Sequence, residues 1–267
     1  MRRLFPPQAA GTTPAADADR QHGTDREWDL LELADAYAYP AEGSWLRANM
    51  VASADGAAHH GGRSRPLSGP ADMRVFGVLR ALADVVIVGA ETVREERYRP
   101  ARRREEFVER RRAAGQTTVP AIAVVSASLH LDFSLPLFTE PAVPTLVLTG
   151  ANAPHPGLSA AAEAGVRVVT AGEGAGVDPA RLKPALAALG YTRLLTEGGP
   201  RLLGQLAAAG VVDELCLTTA PRVTVGTAPR VMSGPESGTP WEFELTDLLE
   251  DSGFLLSRYR QVRQPAE

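Results

Sequence analysis

The stretch LLTEGGP, residues 194–200, decides the fold prediction for this chain. An apolar strand ends at Glu197, passes through Gly198 and Gly199, and enters a helix at Pro200. Two glycines let the backbone approach a ligand closely, and the N-terminus of the helix offers unpaired N–H groups and a partial positive charge to an anion. The pattern predicts a phosphate cradle, although an ordinary tight turn between a strand and a helix could carry the same residues.

The carboxylate of Glu197 stands on the rim of this turn. A carboxylate beside a phosphate would repel it, so Glu197 is expected to face another group in the same cleft. The sequence therefore predicts that Glu197 meets an N–H or O–H of a substrate.

Short apolar runs alternate with amphipathic helices along the rest of the chain. The predicted strands are 46–53, 85–88, 121–125, 145–149, 166–169, 192–196 and 214–220. The predicted helices include 28–39, 70–83 and 178–189, and the arginine-rich segment 97–115 is expected to be a solvated helix or a long loop. Continuous β-branched strands separated by helices predict an α/β fold, with a mostly parallel central sheet and helices on both faces. Such sheets bind ligands at the carboxyl ends of their strands.

Composition narrows the class of protein. The chain has 267 residues, 44% of them hydrophobic, which suits a single domain over residues 28–267. Residues 1–27 lack an apolar core and are predicted to be a flexible tail rather than a signal peptide. The net charge of −4 argues against nucleic-acid binding, and no apolar run is long enough for a membrane span. A single cysteine, Cys216, excludes an internal disulfide, which fits a reducing compartment and predicts a cytoplasmic location. The five histidines lack metal-ligand spacing, so no bound metal is predicted.

Residues suited to ligand binding follow three more of the predicted strands. They are Asp55 after the first, Gly89, Thr92, Val93 and Arg94 after the second, and Ser126 after the third. Hydroxyls, an arginine and helix N-termini at one rim suit a ligand that carries several phosphates. Each residue also has a plainer role, since Asp55 could belong to a simple turn, Thr92 could cap a helix and Ser126 could lie in a loop. The dinucleotide fingerprint G-x-G-x-x-G, the P-loop and the G-x-S-x-G elbow are absent from the sequence.

Several longer motifs occur in order along the chain. They are NMVASADG (49–56), LRALADVVIVGAETVREERY (79–98), VVSASLHL (124–131), LLTEGGPRLLGQL (194–206) and VDELCLTTAP (212–221). In these motifs, over about residues 45–260, the chain resembles the reductase domain of bacterial riboflavin biosynthesis, a relative of dihydrofolate reductase in fold. The resemblance implies an antiparallel C-terminal strand, a homodimer, and the NADPH-dependent reduction of a 5-amino-6-(phosphoribosylamino)uracil from ribosyl to ribityl. The zinc deaminase domain that often accompanies this reductase needs more cysteines than the chain has, so reduction alone is expected.

The resemblance also assigns roles to individual residues. It places Thr92, Arg94 and Ser126 at the adenosine and 2′-phosphate end of NADPH, Gly198 and Gly199 at its pyrophosphate, and Gly89 and Val93 beside the cofactor. It places Asn49, Asp55, Glu96 and Glu197 toward the substrate and nicotinamide, with Asp55 and Glu197 as the catalytic carboxylates. The loop 59–69 should cover the cleft and bring Ser68 to the substrate or nicotinamide. Many relatives have lysine at the position of Asn49 and a small residue at the position of Glu91.

Two other functions remain open on the sequence. A folate or pterin reductase is suggested by Pro70-Ala71-Asp72, which resembles the acid-bearing helix start of folate reductases, although Asp72 would equally complement a helix dipole. Residues 117–120 lack the arginine that folate reductases place before their third strand. A catalytically silent nucleotide-binding module is the other alternative, and the presence of Asp55 and Glu197 favours an enzyme over it. The apolar segment 241–260 is expected at a sheet edge, where it would support the homodimer.

Overall fold

A computed structural model describes residues 1–5, 28–236 and 238–262 of the protein. The strands are β1 (Arg2–Phe5), β2 (Trp45–Ser53), β3 (Val85–Gly89), β4 (Ala121–Val125), β5 (Leu146–Thr149), β6 (Arg167–Thr170), β7 (Arg193–Thr196), β8 (Glu214–Ala220), β9 (Phe243–Asp251) and β10 (Phe254–Gln261). Within the described residues they form one ten-stranded sheet in the order β1-β9-β10-β8-β2-β7-β3-β4-β5-β6.

The seven strands from β8 to β6 along the sheet are all parallel, and β10, β9 and β1 extend it by antiparallel pairing. The predicted fold class is thereby confirmed. The C-terminal segment is a hairpin of two strands rather than one, and it does not form the sheet edge, because β1 pairs outside β9. The predicted flexible tail is therefore wrong for Arg2–Phe5, while residues 6–27 lie outside the described part of the chain.

Helices cover both faces of this sheet. They are α1 (Leu30–Ala36), α2 (Pro70–Leu82), α3 (Ala90–Glu95), α4 (Val108–Ala113), α5 (Pro136–Thr139), α6 (His155–Glu163), α7 (Pro179–Ala187) and α8 (Pro200–Ala208), and a 3₁₀ turn, Glu105–Phe107, precedes α4. The helix starts have local causes. The Asp29 carboxylate accepts bonds from two N–H groups of the first turn of α1, and proline occupies the first position of α2 and α8.

The central strands are buried on both faces. In β3, Val86 and Val88 pack in the cluster that contains Leu79 of α2, whereas Val85 and Ile87 pack on the other face in the cluster that contains Leu203 of α8. All six side chains are fully buried, and each contributes roughly 1.5–3 kcal/mol to folding by leaving water. This two-sided packing explains why β3 reads as a continuous apolar run.

The arginine-rich segment is more buried than its charge predicts. Phe107 is fully buried, and Arg111 of α4 is only 4% exposed. The Arg111 guanidinium donates to the carbonyl oxygens of Ala81 (2.9 Å) and Ala83 (2.8 Å) at the C-terminus of α2, where a cation is favourable. Burial lowers the pKa of Arg111 to about 10. The prediction of a solvated segment is therefore wrong at these two residues.

A buried ion network joins the parallel and antiparallel parts of the sheet. Glu214 of β8 is fully buried and accepts bonds from Nε of Arg47 (2.6 Å) on β2 and Nε of Arg258 (2.8 Å) on β10. Burial alone would raise the pKa of Glu214, but the two guanidiniums reverse this and lower it.

Of the helices within the described ranges, none is long and apolar enough to cross a membrane.

Candidate active site

A cleft of about 1000 Å³ opens at the carboxyl ends of β3, β4 and β7. Its walls include five of the residues predicted to bind the cofactor, namely Gly89, Thr92, Arg94, Ser126 and Gly199. The topology alone brings them together, because parallel strands end at the same side of a sheet. A cleft of this volume suits an extended ligand such as a dinucleotide.

The turn at Gly198 and Gly199 forms one wall of the cleft. The N–H of Gly89 donates to the Gly198 carbonyl oxygen (2.8 Å), which holds the ends of β3 and β7 together. Gly198 has a φ of +78°, and its peptide bond to Gly199 is cis. A Cβ on Gly199 would lie 2.7 Å from Oγ1 of Thr92. Glycine is therefore required here for close packing, and because it has no side chain its backbone is also accessible to a ligand.

The N-terminus of α8 lies beside this turn. Gly199 is its N-cap residue, and no side chain caps the helix within the described residues. The first-turn N–H groups are then available to an anion, and the helix dipole adds a partial positive charge. The residues present thus fit the phosphates of a dinucleotide, because the glycine turn and the uncapped start of α8 lie side by side and arginine side chains stand on the rim of the cleft.

Charged side chains stand on the rim of the cleft. Arg94 donates to the backbone carbonyl of His130 (3.2 Å), and its side chain remains exposed. Glu91 forms an exposed ion pair with Arg201 (3.5 Å), which offsets the negative charge that Glu91 brings to the rim. The side chain of Val93, also predicted to bind the cofactor, is 1% exposed and lies in the hydrophobic core under α3, so only its backbone could face a ligand.

A second cavity of about 260 Å³ adjoins the cleft. The two share the same five wall residues: His59, Thr92, Glu95, Gly199 and Pro200. Four of the residues predicted to face the substrate, Asn49, Ser68, Glu96 and Glu197, line the smaller cavity. The structure thus places the expected substrate residues beside the expected cofactor residues, and their roles stay predictions.

Glu197 is held by protein groups rather than left free for a substrate. Nε and Nη2 of Arg80 each lie 2.6 Å from one of its carboxylate oxygens, and the Tyr98 hydroxyl donates to the same carboxylate. The Arg80 guanidinium also stacks on the Phe76 ring, 4.4 Å from its centre. Burial opposes the charge on Arg80, but Glu197 outweighs it and raises the pKa of Arg80, while burial raises the pKa of Tyr98 well above its usual value. Glu197 therefore already has three protein donors, and its contact with a substrate donor stays a prediction.

The loop 59–69 is tethered over the smaller cavity. Glu96 accepts bonds from the backbone N–H (2.9 Å) and hydroxyl (3.0 Å) of Ser64, and the Ser68 hydroxyl donates to Asp72. Arg222 donates to the carbonyl oxygen of Ser68 (3.1 Å). The loop lines the smaller cavity, and Glu96 and Ser68 already hold protein partners that help to fix its position.

Asp55 stands apart from both cavities. Its exposed carboxylate accepts bonds from the Ser53 hydroxyl and from the backbone N–H groups of Thr224 (3.2 Å) and Val225 (2.8 Å). These bonds, the Ser53 hydroxyl first, lower the pKa of Asp55 to about 2. The carboxylate of Asp55 thus fixes the loop after β8 and lines neither cavity, and its catalytic role stays a prediction.

Asp72 is a site residue that the sequence prediction left aside. It lies in the first turn of α2, is only 6% exposed, and lines the smaller cavity. The signal in the sequence was the acid two residues after Pro70, which helix-dipole complementarity explained equally well. Arg80, Tyr98 and His59 also line this cavity, and no local pattern distinguished them.

A third cavity, of about 240 Å³, lies on the far side of Arg80. Five arginines line it: Arg80, Arg99, Arg102, Arg104 and Arg111. It shares Met73, Phe76 and Arg80 with the smaller cavity, and no carboxylate from the described residues lines it. This concentration of guanidinium groups favours an anion beside the smaller cavity. No group of three or more His, Cys, Asp or Glu side chains in the described ranges could hold a metal ion.

The chain belongs to the RibD C-terminal domain family, which matches residues 44–253. The resemblance to the reductase domain of riboflavin biosynthesis is thereby confirmed. None of the curated protein sequences matches the chain.

Solved structures resemble the chain over most of its length. A pyrimidine reductase-like protein from Corynebacterium diphtheriae is 27% identical with a TM-score of 0.75, and the match covers 86% of this chain and 99% of that one. RibD from Acinetobacter baumannii has the same fold at 19% identity and a TM-score of 0.65, over 83% of this chain and 59% of that one. The riboflavin biosynthesis reductase of Saccharomyces cerevisiae is 15% identical with a TM-score of 0.55, over 87% of this chain and 97% of that one. The chain therefore spans little more than half of the Acinetobacter protein.

Proposed function

We propose that this protein is an NADPH-dependent reductase of a 5-amino-6-(phosphoribosylamino)uracil, which it converts from the ribosyl to the ribityl form. The observation that carries the proposal is the junction of the glycine-walled cleft with a smaller cavity at Thr92 and Gly199. A dinucleotide in the cleft would place its reactive ring at the mouth of the cavity that receives the substrate.

The cleft supports the cofactor assignment. Gly198, Gly199 and the α8 N-terminus would bind the pyrophosphate, while Arg94 and Ser126 would bind the adenosine end and its 2′-phosphate. Ser126 is 5% exposed, and its hydroxyl accepts a bond from the N–H of Leu129 (3.0 Å), so it keeps its O–H as a donor.

The two smaller cavities support an elongated substrate with a planar head and an anionic end. The head would lie in the 260 Å³ cavity, whose walls combine Asn49 with the apolar side chains of Met50 and Phe76. The phosphate would extend toward the arginine-lined cavity beyond Arg80.

The chain's residues bind and orient the reactants, and no side chain needs to form a covalent bond. When bound, NADPH supplies the hydride. The Arg80–Glu197–Tyr98 group fixes the cavity wall, and the tethered loop 59–69 limits the entry of water.

Oxidation of NADPH, followed by its loss of near-ultraviolet absorbance, tests the proposal. We expect turnover with the aminopyrimidine phosphate and a much slower reaction with NADH. NADPH binding without turnover of any pyrimidine or pterin would instead support the catalytically silent module.

Asp72 favours a second candidate, a folate or pterin reductase. A buried carboxylate in a ligand cavity suits paired N–H donors such as those of a 2-aminopteridine. The arginine-lined cavity would then receive the carboxylates of a glutamate tail. The same assay with dihydrofolate, on the unmodified protein and on Asp72→Asn, separates the two: the variant should lose the pterin reaction far more than the uracil reaction.

We also propose a homodimer and a cytoplasmic location. The outermost described strand, β1, exposes Leu4 and Phe5 by 40% and 39%, and an edge of this kind favours pairing with a second copy. Light scattering should then give about twice the chain mass, whereas 28.3 kDa at micromolar protein would contradict the dimer. Cys216 is a free, buried thiol, which is compatible with a reducing compartment.

A further inference from the structure

His59 occupies the boundary between the cofactor cleft and the substrate cavity. It is one of the five residues that line both, and of these only His59 and Glu95 carry titratable side chains. Ligands that meet across this boundary would lie among these five residues. Nothing in the role of the glycine cradle or of the Arg80–Glu197 pair uses this imidazole.

The position of His59 is fixed by backbone bonds on both sides. The N–H of Ala58 donates to the Pro229 carbonyl oxygen (2.8 Å), and Ala57 exchanges bonds with Ser53 (2.9 Å each). After His59, the chain makes a paired bridge between His60 and Arg63. The ring therefore enters the boundary from a braced backbone, as a residue that orients a ligand must.

The ring itself has no fixed protein partner. Its Nδ1 is enclosed and lacks a hydrogen-bond partner within the described residues, and no bond to Nε2 is found there either. Because protein atoms enclose Nδ1, Nε2 is the ring nitrogen that remains for a ligand in the adjoining cavities. An imidazole can donate and accept at once, and histidine exchanges a proton near neutral pH.

We propose that His59 is a catalytic residue that gives the proton required when a C=N bond is reduced at this boundary. The inference rests on the proposed reductase function and holds for either candidate substrate. A hydride from a reduced nicotinamide forms the new C–H bond, the π electrons of the C=N bond move to nitrogen, and the imidazolium of His59 gives its proton to that nitrogen. The amine and neutral His59 result, and the half-buried ring regains a proton from solvent.

Other charged groups face the same two cavities. The carboxylates in the described walls are Asp72, Glu91, Glu95, Glu96 and Glu197. The guanidiniums there are Arg65, Arg80, Arg94 and Arg201, and the phenol of Tyr98 joins them. Most of these groups hold one another or the loop 59–69, as described above. Glu95 is therefore the rival proton source at the boundary.

The test compares His59→Gln and His59→Asn with His60→Gln, which changes a neighbouring ring outside both cavities. We expect His59→Gln to lower kcat about a hundredfold while the NADPH dissociation constant, measured by fluorescence, stays within about twofold. In the unmodified protein kcat should fall as pH rises and the donor loses its proton, and this fall should vanish in His59→Gln. His60→Gln should match the unmodified protein.

A measurement without turnover keeps the inference testable if a variant folds poorly. The imidazole signals of His59 in the unmodified protein, assigned by their loss in either variant, should shift when NADP⁺ and substrate are added together. Unshifted signals would overturn the proposal, as would kcat within about twofold of normal in both variants. An alkaline fall that survives in His59→Gln and disappears in Glu95→Gln would identify Glu95 as the donor and overturn it too. Absence of any turnover in the unmodified protein would instead remove the proposed function, and the proton step with it.

Discussion

Replacing Glu197 with glutamine tests the group that fixes the wall of the substrate cavity. The change keeps the shape of the side chain but removes the charge that balances Arg80 and sets an amide against three donors. Breaking a fully buried ion pair costs about 3–5 kcal/mol, and Arg80 is 23% exposed, so solvent screens part of this loss. We expect the free energy of unfolding to fall by about 2 kcal/mol.

Urea denaturation followed by circular dichroism measures this loss. Glu91→Gln is the matched control, since it breaks an arginine–carboxylate pair whose side chains are 81% and 53% exposed, and it should cost less than about 0.5 kcal/mol. Because Glu197 lines the substrate cavity and not the cofactor cleft, NADPH affinity should stay within about twofold while kcat falls about ten- to a hundredfold. Equal stabilities for the two variants would refute the reasoning about the pair, and unchanged turnover in Glu197→Gln would refute its role at the site.

Three further changes test other parts of the structure. Arg94→Ala should remove most of a ten- to hundredfold preference for NADPH over NADH, which calorimetry would measure as about 1.5–3 kcal/mol. Equal dissociation constants for the two cofactors in the unmodified protein would contradict the assignment. Gly199→Val should weaken NADPH binding at least about tenfold because its Cβ meets Thr92 at 2.7 Å, whereas Gly174→Ala, with open space around its Cβ, should bind normally. The pKa of Asp55 is about 2 in the folded protein, compared with its ordinary value of 3.8. The bonds to its carboxylate therefore stabilise the protein above pH about 4, and this contribution is lost as pH falls through about 2. Thermal melts should thus show Asp55→Asn less stable than the unmodified protein at pH about 6 and equal to it below pH about 2; a gap that does not narrow would be evidence against these bonds.

Much of the fold could be predicted from local sequence patterns. Runs such as Val85–Val88 are apolar on both faces and so require helices on both sides of a sheet, and the alternation of strands with helices favours parallel strands. The carboxyl ends of such strands meet at one side, which is why Gly89, Thr92, Ser126 and Gly199 could be assigned to one cleft before their positions were known. These inferences succeed because each depends on neighbours in sequence or on a rule that holds for the whole sheet.

What only the tertiary structure decided was the partner of each polar side chain. Glu197 meets Arg80, 117 residues away, and Asp55 meets Val225, 170 residues away, so no local pattern could show that one carboxylate is paired and the other braces a loop. Pairing of β1 with β9 likewise depends on a long-range contact. The four residues of β1 carry no local pattern that distinguishes a strand from a flexible tail, so their pairing could not be predicted. The sequence by itself determined which faces must be buried, because the hydrophobic effect needs no particular partner. Hydrogen bonds and ion pairs are directional and act over a few ångströms, so the roles of these residues depended on which chain segments folding brought within that distance.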